Sequence, residues 1–182
     1  MLVDPKDQAG YLIYDAWGNN HQVLVEKLDE DYLNTSDDLP VTISEDSGVE
    51  APMAFERNGW YYAFFGPTCC FCRQGSGAEV YTAPSPMGPW TNQNLDINPK
   101  HGFSFMGERE IKAQNNFFAQ LNGQYIYTAD LWTTAPDKLK SHDIQYWAPV
   151  SFNDDVTPPL PYKLKWQDTV EISTDSSPAF TQ

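Results

Sequence analysis

A single acid, Glu50, stands where a carboxyl group could do chemistry. Ala51-Pro52 and an apolar run follow it, and then come Asn58-Gly59 and a second run rich in aromatic residues. Asn-Gly between two apolar runs predicts a β-hairpin, because both residues tolerate positive φ angles. Glu50 is therefore expected at the entrance of the first strand, where a carboxyl bordered by apolar surface is suited to donate a proton. The alternative is a strand-end glutamate that faces water.

The same device, a turn leading into a strand, occurs three times along the chain. Gly10, Gly59 and Gly123 each precede a run of aromatic and aliphatic residues, 49 and then 64 residues apart. An all-strand unit that recurs every 40–60 residues, roughly, is typical of β-propeller blades. The 14% aromatic content, with 14 prolines and 11 glycines, also favours an all-β protein. At 182 residues the chain is short for five blades, since each needs about 40–50 residues.

Two motifs resemble glycoside hydrolase family 43. The first motif is Glu50-Ala51-Pro52, followed by an apolar pair and then by Asn-Gly-x-Tyr-Tyr-x-Phe-Phe, which ends at Phe65. The second motif is the strand and turn from Tyr81 to Thr91, which contains Ser-Pro-x-Gly-Pro-Trp-Thr. The resemblance is nearest to the galactan-directed branch, similar to exo-β-1,3-galactosidases. It implies part of a five-bladed β-propeller, about three to four blades over residues 1–173, followed by a flexible tail at 174–182.

By this resemblance Glu50 is the general acid. Gln114 holds the matching position in the third repeat, where other branches have a water-activating carboxylate, so it is expected to position water or to move a proton as a tautomer. The alternative for Gln114 is a strand-end amide that bonds the backbone. Asn115, Trp17 and Trp132 are expected to contact substrate, the tryptophans by covering apolar sugar faces. We expect no metal and no cofactor.

The family's first blade, and the aspartate that tunes its general acid, are expected to fall before Met1, so the chain is interpreted as N-terminally incomplete. Three functions follow as hypotheses. The chain is a glycoside hydrolase acting on β-galactan or on arabinose- or xylose-containing glycans, a carbohydrate-binding propeller or inactive fragment without catalysis, or a repeat scaffold for protein partners. Convergence of Glu50 and Gln114 on one channel would argue against the scaffold.

The net charge of −14 argues against nucleic acid and anionic membranes as partners. The expected partner is an oligo- or polysaccharide, and the expected state is a monomer. We see no apolar run long enough to cross a membrane and no signal peptide at Met1. An extracellular location is expected by analogy with the family.

The crowded cysteines Cys69, Cys70 and Cys72 favour a disulfide bridge or free thiols over a zinc site, because three ligands within four residues cannot easily surround a tetrahedral ion. His21 lies in a polar loop and is interpreted as a surface or loop-bonding residue.

Residues 93–110 are expected to be loop-like. Pro158–Pro161 are expected to form a loop, and Leu164–Gln167 to begin a further strand.

Overall fold

The computed structural model describes residues 1–46, 48–67, 72–102 and 107–172 as an all-β structure. Its strands form three antiparallel sheets, which follow one another along the chain, and one two-stranded pair. The first sheet contains β1 (Leu2–Val3), β2 (Gly10–Ala16), β3 (Gln22–Lys27) and β4 (Val41–Ser44). The second contains β5 (Val49–Arg57), β6 (Trp60–Pro67), β7 (Glu79–Ala83) and β8 (Thr91–Asp96). The third contains β9 (Gln114–Leu121), β10 (Gln124–Leu131) and β11 (Ile144–Val150), and the pair is β12 (Phe152–Asn153) with β13 (Leu160–Pro161).

Each of the three sheets is a meander in which consecutive strands pair, as in a propeller blade. Only two short 3₁₀ turns, Trp17–Asn19 and Lys140–His142, interrupt the strands within the described ranges. No helix in this part of the chain is long and apolar enough to cross a membrane. The expected all-β, partial-propeller architecture is confirmed.

The two Asn-Gly turns form as expected. Asn58 and Gly59 have φ angles of 53° and 83°, and Asn122 and Gly123 have φ angles of 48° and 79°. Two consecutive positive φ angles define a type I′ turn, whose twist matches that of the flanking strands. These turns join β5 to β6 and β9 to β10, and so fix the register of the two hairpins on which the site is built.

Aromatic side chains fill the space between the second and third sheets. Phe55 on β5 lies 5.0 Å from Tyr62, 4.5 Å from Phe118 and 5.0 Å from Tyr125, measured between ring centroids. Its ring also meets that of Phe152 on β12 edge to face, at 6.1 Å. One buried side chain on the first strand of the second sheet thus contacts the third sheet and the two-stranded pair.

Three details of the sequence interpretation were wrong. The segment 93–110 is not all loop, because β8 runs to Asp96 and pairs with β7. The strand near the C-terminal end is Leu160–Pro161, which was expected to be loop, and it pairs with β12. Leu164–Gln167 is not a strand; Leu164 is instead fixed by donating its backbone N–H to the Ile97 carbonyl at 2.7 Å. A proline-rich segment can still form a short edge strand, because edge positions do not require every N–H donor.

Cys72 is disulfide-bonded, which confirms bridging rather than metal ligation for this residue. Cys69 and Cys70 lie outside the described residues, as does the predicted tail at 174–182.

Replacing Phe55 with alanine is expected to lower the free energy of unfolding by about 3–5 kcal/mol, because it leaves a cavity at the contact of two sheets. Urea denaturation followed by tryptophan fluorescence measures this. The matched control is Phe117→Ala on β9, where the side chain is 53% exposed and the expected loss is below about 1 kcal/mol. Equal losses in the two variants would show that the aromatic contact does not hold the sheets together.

Candidate active site

A β-bulge immediately follows Glu50. In the pairing of β5 with β6, Glu50 is opposite Gly66 and Met53 is opposite Phe64, so Ala51 and Pro52 together face one residue. Pro52 has no N–H to offer the ladder, and Ala51 has a positive φ of 54°. A bulge bends its strand and re-aims the neighbouring side chains. Here it leaves the Glu50 side chain 21% exposed at the strand entrance.

A second bulge occupies the corresponding place on β9. Asn115 pairs with Ala129 and Phe117 pairs with Thr128, which leaves Asn116 as the extra residue. The Asn116 side chain accepts a hydrogen bond from the Thr128 hydroxyl and donates one to Asp130 at 3.0 Å. Gln114 therefore precedes a bulge on its strand, just as Glu50 does on β5.

Asn115 joins the two bulges. Its side chain is 1% exposed, donates a hydrogen bond to the Ala51 carbonyl and accepts one from the Ser76 hydroxyl at 2.9 Å. A buried amide with both ends bonded to protein stabilises the local backbone. The geometry gives Asn115 a structural contact, and the substrate contact expected for it stays a prediction.

Glu50 and Gln114 meet where β5, the first strand of the second sheet, lies beside β9, the first strand of the third; these are the two inner strands of the site. Gln114 Nε2 lies 3.4 Å from Glu50 Oε2, and Gln114 Oε1 accepts a hydrogen bond from the Trp132 indole N–H at 3.0 Å. The indole donates only, so it fixes the amide with its oxygen toward Trp132 and its nitrogen toward the carboxylate. The convergence expected of a catalytic or sugar-binding channel is present, and this argues against a scaffold without a site.

Asp15 and His21, which were not among the predicted site residues, also lie at this site. His21 Nδ1 lies 2.8 Å from Asp15 Oδ2 and 3.8 Å from Glu50 Oε1. The interpretation of His21 as a loop-bonding residue was therefore incomplete, because its partner is an acid at the site. A signal for Asp15 was available: Tyr11, Ile13 and Asp15 share one face of β2, and the first two are buried.

In the described part of the chain, one group of side chains could hold a metal ion. It consists of Asp15, His21 and Glu50. One ligand atom from each lies within 4.8 Å of the others. A ligating carboxylate must be ionised, so a cation held here would prevent Glu50 from donating a proton. Metal binding and general-acid catalysis by Glu50 are therefore mutually exclusive uses of the site.

Two tryptophans flank the site. Trp17 is 76% exposed, and its ring centroid lies 4.4 Å from that of His21 in an edge arrangement. Trp132 is half-buried and lines a cleft of about 740 Å³. Aromatic faces of this kind can cover the apolar face of a sugar.

Fold and site together define a class of protein: a partial β-propeller in which β5 and β9 bring a carboxyl and an amide together between an exposed and a half-buried tryptophan. Neither a protein-family model nor a curated protein matches this sequence.

Solved structures do match. A family 43 β-1,3-galactosidase solved with galactodeoxynojirimycin is 25% identical, with a TM-score of 0.70, and 93% of this chain is covered. An exo-β-1,3-galactanase from Phanerochaete chrysosporium, solved as a Glu-to-Ala variant with β-1,3-galactotriose, is 23% identical over 88% of the chain, with a TM-score of 0.64. An exo-β-1,3-galactanase from Clostridium thermocellum is 21% identical over 87% of the chain, with a TM-score of 0.66.

This chain spans 45% of the galactosidase and about a third of each galactanase, 33% and 32%. It therefore has the structure of part of a glycoside hydrolase family 43 propeller, and the resemblance read from its motifs is confirmed.

Replacing Asn115 with alanine is expected to lower the free energy of unfolding by about 1–3 kcal/mol, because the Ala51 carbonyl and the Ser76 hydroxyl lose a buried partner. Chemical denaturation measures the loss. Asn34→Ala is the control, since Asn34 is exposed and its side chain donates a hydrogen bond to the Asp29 carboxylate at 3.2 Å. Its expected effect is within about 0.5 kcal/mol. A loss no larger than that of the control would remove Asn115 as the link between the strands.

Proposed function

We propose that this chain is part of a glycoside hydrolase that cleaves β-1,3-linked galactan, with Glu50 as its general acid. The observation that carries the proposal is the convergence of Glu50 and Gln114 from the inner strands of two sheets. The fold shared with β-1,3-galactosidase and exo-β-1,3-galactanases supports the substrate class. Arabinose- and xylose-containing glycans are the competing substrates.

The chemistry requires a proton for the departing glycosidic oxygen and an attacking group on the opposite face of the sugar. Glu50, half-buried beside the His21 ring, supplies the proton. In inverting enzymes the two acting groups stand about 6.5–9.5 Å apart, which leaves room for water. Gln114 contacts Glu50 directly in this structure, so it can orient the acid here, and it can position water only after the two side chains separate.

A non-catalytic carbohydrate-binding propeller is the second candidate. It is favoured by the neutral amide at Gln114, because an amide is a poor base and a good hydrogen-bonding partner for sugar hydroxyls. The exposed Trp17 suits either function.

We also propose an extracellular location and a monomeric state. The Cys72 disulfide supports the location, because disulfides persist in oxidising compartments.

The variant Glu50→Gln is expected to release sugar from β-1,3-galactan at least about 100-fold more slowly, since it loses the proton donor. Activity on a nitrophenyl galactoside is expected to fall less, because nitrophenolate leaves without protonation. Reducing-sugar release and absorbance assays measure the two rates. This difference between substrates distinguishes a lost acid from a damaged fold.

Glu45→Gln is the matched control: Glu45 is exposed outside the strands, and its rate on both substrates is expected to be unchanged. Equal loss of both activities in Glu50→Gln would reject the general-acid role. If the unsubstituted protein binds galactan but releases no sugar from it, the second candidate function, carbohydrate binding without catalysis, is established.

Replacing Gln114 with alanine is expected to lower kcat on galactan by about 100-fold with KM little changed, because its amide orients either Glu50 or the attacking water. The control is Gln120→Ala, an exposed glutamine on the same strand, β9. Steady-state kinetics on both variants tests this. A change confined to KM would instead make Gln114 a sugar-binding residue.

A further inference from the structure

A positively charged cleft adjoins the proposed site at Trp132. The cavity of about 740 Å³ shares Trp132, Thr133 and Arg73 with a second cavity of about 320 Å³. Because they share these three wall residues, the two cavities form one surface, the Trp132 cleft. Its charged lining residues are Arg73, Glu110, Lys112, Lys138, Lys140 and Asp143.

The cleft is lined by more basic than acidic side chains, whereas the molecule as a whole is acidic. Among the residues that the structure describes, four basic and two acidic side chains line it, and one of the four basic ones, Lys112, pairs with Glu108. The chain as a whole carries a net charge of −14. A concentration of positive charge on an acidic protein attracts an anionic group to that place.

The two acids of the cleft are held by donors of the protein itself. Glu110 accepts the backbone N–H of Trp166 at 2.9 Å, and this bond holds the pKa of Glu110 below its usual value. Asp143 accepts the backbone N–H groups of Ala135 and Thr133, both at 2.9 Å, and they lower its pKa in the same way. Both carboxylates therefore fix the cleft wall, and neither pairs with Arg73 or Lys138.

Of the four basic side chains, Lys112 pairs with Glu108 at 2.8 Å and Lys140 lies over the Trp132 ring, so Arg73 and Lys138 are the two that the proposal assigns to a ligand. Arg73 bonds the side chain and the carbonyl of Thr133, and neither Arg73 nor Lys138 has a carboxylate within ion-pair distance in the described parts of the chain. The Arg73 segment is anchored by the Gln74 carbonyl, which accepts the Arg109 N–H at 2.9 Å. A guanidinium on an anchored segment is pre-organised for a planar anion.

Trp132 connects this charge to the proposed catalytic pair. The Lys140 ammonium lies 4.6 Å from the centre of the Trp132 ring, while the indole N–H bonds Gln114. A glycan that occupies the Glu50–Gln114 site and extends along Trp132 therefore passes into the positive cleft.

We propose that the Trp132 cleft binds a carboxylate-bearing sugar, a uronic acid unit of the glycan, beside the Glu50–Gln114 site. Neutral sugar explains the tryptophans but gives no role to the positive charges of Arg73 and Lys138. The planar fork of Arg73 matches a carboxylate in shape and charge, and Trp132 and Trp166 provide faces for the ring. The inference rests on the proposed function, since it names the kind of glycan that the same site takes.

The test compares two galacto-oligosaccharides of equal length, one neutral and one with a glucuronic acid substituent. Binding is measured by calorimetry in the Glu50→Gln background, so that bound sugar is not cleaved. The acidic oligosaccharide is expected to bind about tenfold more tightly, as a charge-assisted contact at a partly exposed site gives. This preference is expected to shrink in about 0.5 M salt, because screening weakens exposed charge pairs.

The double variant Arg73→Gln/Lys138→Gln is expected to bind the two oligosaccharides equally and to leave binding of the neutral one unchanged. Lys100→Gln/Lys163→Gln removes the same charge from exposed positions elsewhere and is expected to keep the tenfold preference. A preference that survives the cleft variant, or that is absent from the start, would overturn the proposal while neutral binding still supports the proposed function.

Tighter binding of a sulfated galactan than of the uronic acid form would overturn the assignment of a carboxylate. Failure to bind either oligosaccharide would overturn the proposed function and this inference together.

Discussion

The architecture of the site depends on one buried amide. Asn115 bonds the Ala51 carbonyl within the bulge of β5, while its own strand carries a bulge one residue later. Each bulge leaves backbone groups outside the regular ladder, and these need partners when buried. The Asn115 side chain supplies one partner across the gap, so the two irregular strand entrances are stabilised side by side. Glu50 and Gln114 meet because the residues next to them are joined in this way.

Packing elsewhere makes this arrangement stiff. Phe55 lies further along β5, among rings from β6, β9, β10 and β12, so the hairpin that carries Glu50 is fixed at its far end by apolar burial. At the near end the fixing groups are polar. This difference between a polar near end and an apolar far end has a physical reason. A site that binds sugar needs hydrogen-bond donors and acceptors at its mouth, whereas the sheets beneath it need only close packing.

The charged side chains are also unevenly distributed over the molecule. Acidic residues dominate the chain, yet the cleft beside Trp132 is basic, and its two carboxylates are bonded to backbone N–H groups. Trp132 belongs to both regions, since it contacts Gln114 through its N–H and Lys140 through its ring. A glycan with both neutral and acidic units would match these two regions in sequence along the cleft.

Local patterns in the sequence determined much of the fold. The Asn-Gly turns, the repeated strands and the motif around Glu50 act between neighbouring residues, so they predicted the hairpins, the propeller class and the acid at a strand entrance. The segment at Leu160–Pro161 was misread because its pairing with β12 is decided by tertiary position, not by its prolines. Only the tertiary structure decided that Asp15 and His21 lie beside Glu50, and that Arg73 and Lys140 share a cleft. These contacts join residues far apart in the chain, and their distances depend on how whole sheets pack, which no local pattern encodes.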